Sequence, residues 1–309
     1  MITAWSPRLA LAAGLAALAV APAAQAVVAP SGARDGAIAF TSSYEEGEDC
    51  GIGHDGGVFE PCTFIVYRVA ASGRKQKRLS DCGTRADPDC GDVDPAWSPS
   101  GKRVAYSSNG VLWVMNADGT KKRSLGASGD QPAWSPGGTS LVFRHASTPY
   151  GIATIKTDGT GLRTLTSNSD DAQPTWSRIG TIAFSRFDEI WTMSTRGTRV
   201  RRLFKSCDQC GNPDYSADGR RIAFSVSDGL YVDVANSSGS GRRRLNQAAG
   251  GAPAWSPSGH YIAWSVRGDI FVSRSDGTRT HRVGYDPKHH VGDDVTGDYS
   301  GPAWQPLPR

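Results

Sequence analysis

Pro95-Ala96-Trp97-Ser98-Pro99-Ser100-Gly101 is the stretch on which the fold turns, because its opening phrase recurs along the chain. The copies are Pro132-Ala133-Trp134-Ser135, Pro174-Thr175-Trp176-Ser177, Pro213-Asp214-Tyr215-Ser216, Pro253-Ala254-Trp255-Ser256 and Pro302-Ala303-Trp304-Gln305. Successive prolines are 37, 42, 39, 40 and 49 residues apart. A period near 40 belongs to a solenoid or a propeller, and the content of the repeat chooses between them. Each full copy runs into a turn ending in glycine (Gly101, Gly138, Gly180, Gly219, Gly259) and then into a β-branched and aromatic run such as Val104-Ala105-Tyr106 or Ile222-Ala223-Phe224. A second run follows, as in Leu112-Trp113-Val114, Ile190-Trp191-Thr192 or Ile270-Phe271-Val272. Both kinds read as short strands.

Further out, Asp118-Gly119, Asp158-Gly159 and Asp276-Gly277 read as tight hairpin turns, with Arg196-Gly197 and Ser240-Gly241 at equivalent places, each leading into a basic segment. A repeat is then four antiparallel strands, a to d in chain order. No stretch after residue 26 keeps the helical periodicity that a TPR or HEAT unit needs. The prediction is an all-β fold, a β-propeller of four-stranded antiparallel blades. Five full repeats run from Pro95 to about Tyr285. A copy lacking strand a precedes them (37–40 as b, 64–67 as c, 78–79 in d), and a lone strand a follows at 302–305. Letting the C-terminal strand complete the N-terminal blade removes open sheet edges. Six blades with a split first blade are expected, in one domain over residues 27–309. The proline is expected to open strand a, where no ladder donor is needed, and the Trp or Tyr to fill the wedge between blades. A carbohydrate-stacking ring of these aromatics is the alternative, but repetition in every blade favours a core.

The succession Pro-x-Trp-Ser-Pro-x-Gly, x-Ile-Ala-Phe, Ile-x-Val-Met-Asn-x-Asp-Gly-Thr and Arg-x-Leu resembles the WD40-like, PD40-type repeat of TolB propellers. Trp97-Ser98-Pro99-Ser100-Gly101 and Val114-Met115-Asn116-Ala117-Asp118-Gly119-Thr120 carry the likeness best. It covers the chain after residue 26 and implies a six-bladed propeller. On function it implies less, since similar propellers occur in periplasmic TolB, in prolyl-oligopeptidase-type hydrolases and in polysaccharide lyases. TolB carries an α/β domain ahead of its propeller. Here about a dozen residues separate the expected cleavage site from the first strand, so that domain is expected to be missing.

With 38% hydrophobic and 21% charged residues the chain is composed to fold. Mean hydropathy is -0.39, and no apolar stretch reaches the roughly 20 residues of a membrane span. A net charge of +4 makes no case for nucleic acid as a partner. Residues 1–26 hold Arg8, an apolar run over 9–20, Pro22 and the ending Ala24-Gln25-Ala26, which reads as a cleavable signal peptide and predicts a secreted or periplasmic protein. Oxidising surroundings let the cysteines pair. Sequence proximity favours Cys50 with Cys62, Cys82 with Cys90 and Cys207 with Cys210, among the 15 pairings that six cysteines allow. A redox motif or half a zinc site at Cys207–Cys210 would need a helix N-terminus or a second ligand pair, and the sequence displays neither.

In an antiparallel meander the b–c loops and d–a connections leave the disc on one face, and there the long excursions fall: 44–61, 81–94, 167–173, 206–212 and 285–301. Insertions in a repeat array collect on the binding face. Three of them border blade 1 and hold 15 of the 30 acidic residues with two basic ones, Arg85 and Lys288. These three carry -13 while the rest of the chain carries +17. The binding-face candidates are Glu45, Glu46, Glu48, Asp49, Asp55, Asp87, Asp89, Asp92, Asp94, Asp293, Asp294 and Asp298. Asp87, Asp89, Asp92 and Asp94 alternate as in an acidic calcium loop, which makes calcium the candidate ion, although the Glu that closes an EF-hand loop is missing. The compensating basic residues crowd strand d, for instance Lys121-Lys122-Arg123 and Arg242-Arg243-Arg244, where they guard an exposed edge.

No G-x-S-x-G, H-E-x-x-H or P-loop is present. The expected function is a non-catalytic binding scaffold, a monomer, whose partner is a protein or a cell-envelope glycan. The rival is a metal-dependent polysaccharide lyase or glycoside hydrolase working through the same carboxylates.

Overall fold

The computed structural model describes residues 35–44, 63–80, 91–207, 209–227, 229–245, 250–266, 269–284 and 301–306. All regular structure among them is β. Chain order begins with β1 (Asp35–Tyr44), β2 (Thr63–Ala70), β3 (Lys77–Arg78), β4 (Asp92–Trp97), β5 (Arg103–Ser108), β6 (Val111–Asn116) and the long β7 (Arg123–Trp134). It continues through β8 (Ser140–His145), β9 (Gly151–Lys156), β10 (Arg163–Thr164), β11 (Ala172–Trp176), β12 (Thr181–Arg186), β13 (Glu189–Ser194) and β14 (Arg201–Arg202). The last are β15 (Gly211–Tyr215), β16 (Arg221–Val226), β17 (Tyr231–Asn236), β18 (Arg243–Arg244), β19 (Gly251–Trp255), β20 (Tyr261–Val266), β21 (Asp269–Arg274), β22 (His281–Gly284) and β23 (Ala303–Pro306).

The strands form a β-propeller of four-stranded antiparallel blades. β11–β14, β15–β18 and β19–β22 are each one meander, and a further sheet runs β23-β1-β2-β3. In that sheet Trp304 pairs with Ile38 and Ala303 with Ala39. The remaining sheet has seven strands, β4 to β10, because β7 passes without a loop from one meander into the next. Its Ser128 pairs back to Val111, and the following Gly129 pairs forward to His145.

Buried apolar clusters lie between neighbouring sheets. Ile38, Phe40, Val69 and Trp304 meet Ala254, Ala263 and Ile270, while Ala39, Val66 and Leu79 meet Trp97, Val104 and Met115. Trp97, Trp134, Tyr215, Trp255 and Trp304 are buried, as expected of wedge residues, while Trp176 is partly exposed. The Trp134 indole N–H donates to the Ala96 carbonyl at 2.9 Å, and that of Trp304 to the Ala254 carbonyl at 3.1 Å, tying these two blades to the ones before them. The serine after the aromatic locks the a–b turn. Ser98, Ser135, Ser216 and Ser256 each accept, at 3.0 to 3.1 Å, the first N–H of strand b.

Two local expectations need correction. Pro95, Pro132, Pro174, Pro213 and Pro253 do not open strand a but sit inside it at a β-bulge, such as the register shift between Val93 and Ala96 or between Gly211 and Asp214, whereas Pro302 directly precedes β23. A bulge frees one residue from the ladder, which is what a residue without an N–H requires. The residue ahead of it, Asp94, Gln131, Gln173, Asn212 or Ala252, takes φ of 49 to 56°. The second correction concerns the c–d turn of β17 and β18, which is Ser238-Gly239 rather than Ser240-Gly241, since Gly239 donates to the Asn236 carbonyl as Gly119 does to Asn116. These turn glycines press on the preceding blade. A Cβ at Gly119 would stand 2.5 Å from the Leu79 carbonyl oxygen, and one at Gly197 2.7 Å from that of Leu165.

Strand d is short and exposed, yet its basic residues hold the blades together. Lys77 donates to the Asp118 carbonyl at 3.1 Å, Arg163 to that of Thr195 at 2.9 Å and Arg243 to that of Ser275 at 2.7 Å. Arg123 reaches the Thr157 and Asp158 carbonyls in the same way. Each contact runs from one blade to the c–d turn of the next.

Candidate functional site

Strand a of each blade lines a central cavity of about 1540 Å³. Its wall has three levels. The bulge residues Asp94, Gln131, Gln173, Asn212 and Ala252, with Gly301 at the matching place ahead of Pro302, form the level nearest the b–c and d–a face. The next is set by the residue after proline: Ala96, Ala133, Thr175, Asp214, Ala254 and Ala303. Lys102, Arg178 and His260 lie at the a–b turn end.

The bulge residues are linked from blade to blade. The Asp94 carboxylate accepts the Gln131 N–H at 3.1 Å, the Gln131 side-chain oxygen accepts the Gln173 N–H at 2.7 Å, and that of Gln173 accepts the Asn212 N–H at 2.7 Å. Ala252 and Gly301 offer no such side chain, and the Ala252 N–H turns to the Ser225 hydroxyl at 2.8 Å. Four left-handed backbones thus present a polar belt over one sector of the mouth. The sequence reading missed it, because its signal is the residue ahead of each proline rather than the motif itself.

Asp214 bridges three blades: its carboxylate accepts the Trp255 N–H at 2.7 Å and the Thr175 hydroxyl at 3.3 Å. Desolvation pushes its pKa up to about 6, against the pull of those hydrogen bonds. Its side chain is only half-buried, however, so channel solvent screens part of that penalty.

Of the acidic candidates, Asp92 and Asp94 lie among the described residues and serve different neighbours. Asp94 belongs to the belt. Asp92 is buried at the start of β4, with the Ser108 and Ser80 side chains hydrogen-bonded to it and its Oδ1 without a partner among the described residues. Burial raises its pKa, and Arg78 and Lys122 oppose the rise through space. The Tyr106 hydroxyl is pushed up first by burial and then by the Asp92 charge. Glu45, Glu46, Glu48, Asp49, Asp55, Asp87, Asp89, Asp293, Asp294 and Asp298 lie outside the described residues, as do Cys50, Cys62, Cys82 and Cys90. The strand ends that carry these segments are nonetheless placed. Tyr44 pairs with Thr63, and Phe64 bridges Gly91, so the segments 45–62 and 81–90 spring from adjacent points. Gly301, which follows segment 285–300, lies against Ala252 at the channel mouth.

Cys207 and Cys210 are disulfide-bonded in the connection between β14 and β15. The Cys210 N–H donates to the Asp188 carbonyl at 2.7 Å, which fastens this connection to the β12–β13 turn. Tyr150, Phe187 and Leu230 are exposed in the b–c turns of three successive meanders, a feature that strand-pattern reasoning does not register.

No family model matches the sequence. Among solved structures the chain is similar to TolB from Acinetobacter baumannii, with a TM-score of 0.65 and 18% identity over 89% of this chain and 67% of that one. A protein assigned as TolB from Agrobacterium tumefaciens gives a TM-score of 0.61 and 19% identity, covering 81% and 88% of the two chains. A chain of a nidogen/laminin complex gives 0.66 and 12%, covering 89% of this chain and all of that one. At such identities the likeness is one of architecture, and on it this protein has a TolB-like β-propeller fold.

Proposed function

We propose that this protein is an exported, non-catalytic binding scaffold that engages a protein or a cell-envelope glycan through the b–c and d–a face beside blade 1. The observation that carries the reading is the convergence of strand ends. Segments 45–62 and 81–90 leave the sheet side by side, and these two together with 285–300 hold most of the segregated negative charge. The disulfide at Cys207–Cys210 agrees with an oxidising compartment, secreted or periplasmic.

The proposal includes a ring of six blades closed by β23. It counts the seven-stranded sheet as two blades sharing β7, and it draws support from the cluster that joins Trp304 and Phe40 to Ala263 and Val283. Calcium held by Asp87, Asp89, Asp92 and Asp94 is the rival use of these carboxylates. A bound ion would raise the melting temperature, and a chelator would lower it.

The test is capture of a partner from envelope extract by the wild-type protein and by a variant whose residues 44–61 are replaced with a short Gly-Ser turn. The variant is expected to lose the partner; equal capture by both overturns the reading. Cleavage of an envelope polysaccharide, abolished by Asp294→Ala, would replace the scaffold with the lyase or hydrolase.

A further inference from the structure

The repeat supplies its own control for Asp92. In the meander β11–β14 the equivalent residue is Asp171, fully buried one place before β11. Its two carboxylate oxygens receive Nε and Nη2 of Arg186 at 2.5 and 2.8 Å. The Arg186 guanidinium also lies 5.3 Å from the centre of the Phe184 ring and 5.0 Å from that of Trp191. Phe184 and Trp191 face each other across β12 and β13. A buried carboxylate, two rings and a planar cation therefore complete one another, with bidentate hydrogen bonds and cation–π attraction offsetting the burial of charge.

The meander that starts at β4 has the same floor and the same walls. Asp92 pairs in register with Ser108 as the ladder of β11 and β12 sets Asp171 beside Arg186, and Tyr106 faces Trp113 as Phe184 faces Trp191. What differs is the cation: Ser108 stands where Arg186 would be. Asp92 is 3% exposed, and its Oδ1 has no hydrogen-bond partner among the described residues. Ser108 and Trp113 remain partly exposed at the edge of this group. The group opens on the b–c and d–a face, since only Gly91 separates Asp92 from segment 81–90 and the Gly91 N–H donates to the Asn109 side chain of the β5–β6 turn at 2.8 Å.

We infer that Asp92, Tyr106 and Trp113 form a receiving site for the guanidinium of an arginine side chain on a polypeptide partner, inserted where Arg186 sits in the sister blade. The inference rests on the scaffold reading and names what the partner must carry. Arginine rather than lysine is specified, because the template is a planar fork that meets both carboxylate oxygens and stacks on rings, which an ammonium does not reproduce.

The probe is a capped peptide bearing one arginine, compared with the same peptide bearing lysine or citrulline and followed by the Trp113 indole N–H resonance. The arginine peptide is expected to shift that resonance, the lysine peptide to bind about tenfold more weakly, and the citrulline peptide to do nothing. Asp92→Asn removes the charge at constant shape and is expected to abolish the shift. Ser108→Arg supplies the guanidinium from within; it is expected to abolish peptide binding and to raise the melting temperature. No shift with the arginine peptide, or a shift that survives both substitutions, overturns the inference. So does a response to calcium chloride with none to the peptide, or binding that appears only after Arg85→Ala, which would assign the site to the chain's own arginine. Replacing residues 44–61 leaves Asp92 in place. Capture of the envelope partner by that variant, with intact peptide binding, therefore counts against the 44–61 contact alone, and partner capture by the wild type without peptide binding counts against the arginine site alone.

Discussion

Two residues beyond each c–d turn glycine the backbone is left-handed, at Lys75, Lys121, Gly161, Arg199, Gly241 and Arg279. Four of these carry a side chain that disfavours the conformation, and two are glycine, so the repeat already contains the experiment. Lys121→Gly is expected to raise the unfolding free energy by about 0.5–1 kcal/mol, and Gly161→Ala to lower it by a similar amount, read from urea midpoints. Asp214 makes a second prediction at this scale. Its folded pKa is raised from 3.8 to about 6, so between those values the folded state binds more protons than the unfolded one, and stability falls as pH rises through about 6. Asp214→Asn removes this dependence while keeping an acceptor for the Trp255 N–H. The full shift is worth about 3 kcal/mol. With channel solvent screening part of it, the variant is expected to gain about 1–2 kcal/mol on the wild type between pH 4.5 and 7.5 in denaturant titrations.

At the level of strands, alternation and turn glycines made most elements legible: the b runs read from Val104, Ile182, Ile222 and Ile262 and the c runs read from Leu112, Ile190 and Ile270 are strands in the fold, and Trp304 does pair with the sheet that holds Phe40. What sequence pattern did not disclose depends on a neighbour some 30 to 40 residues away. The Arg243 side chain looked like protection of a free edge, yet it donates to Ser275 in the next blade. The belt at Asp94, Gln131 and Gln173 was hidden for the same reason, since a side-chain oxygen meeting a backbone N–H one repeat further on has no local signature. Asp92 and Asp171 look alike in sequence, and only the cross-strand partner, Ser108 or Arg186, tells them apart. If these rim contacts join blades, Arg243→Ala should lower stability by about 1 kcal/mol. Arg220→Ala, in an a–b turn, should change it by less than about 0.5 kcal/mol. Equal effects in thermal melts would return strand d to edge protection alone.

For the molecule as a whole, two junctions govern cohesion: β7, which runs continuously through a seven-stranded sheet, and the pairing of β1 with β23. Amides of β5–β8 are expected to be the slowest to exchange with deuterium and those of β1 and β23 among the fastest of the paired strands, because the first junction is covalent and the second rests on few ladder bonds. Trp304→Ala removes a buried indole and its bond to Ala254. It should cost about 3–5 kcal/mol and broaden the melt, as β1 loses its cover. Asp35 and Pro306 stand opposite each other, so the outermost described residues of the chain are neighbours in one sheet. A circular permutant that sews them together and starts instead within the exposed Asn168–Asp170 turn keeps every strand pairing, whereas one opened between Ser128 and Gly129 severs the chain where two sheets share a single strand.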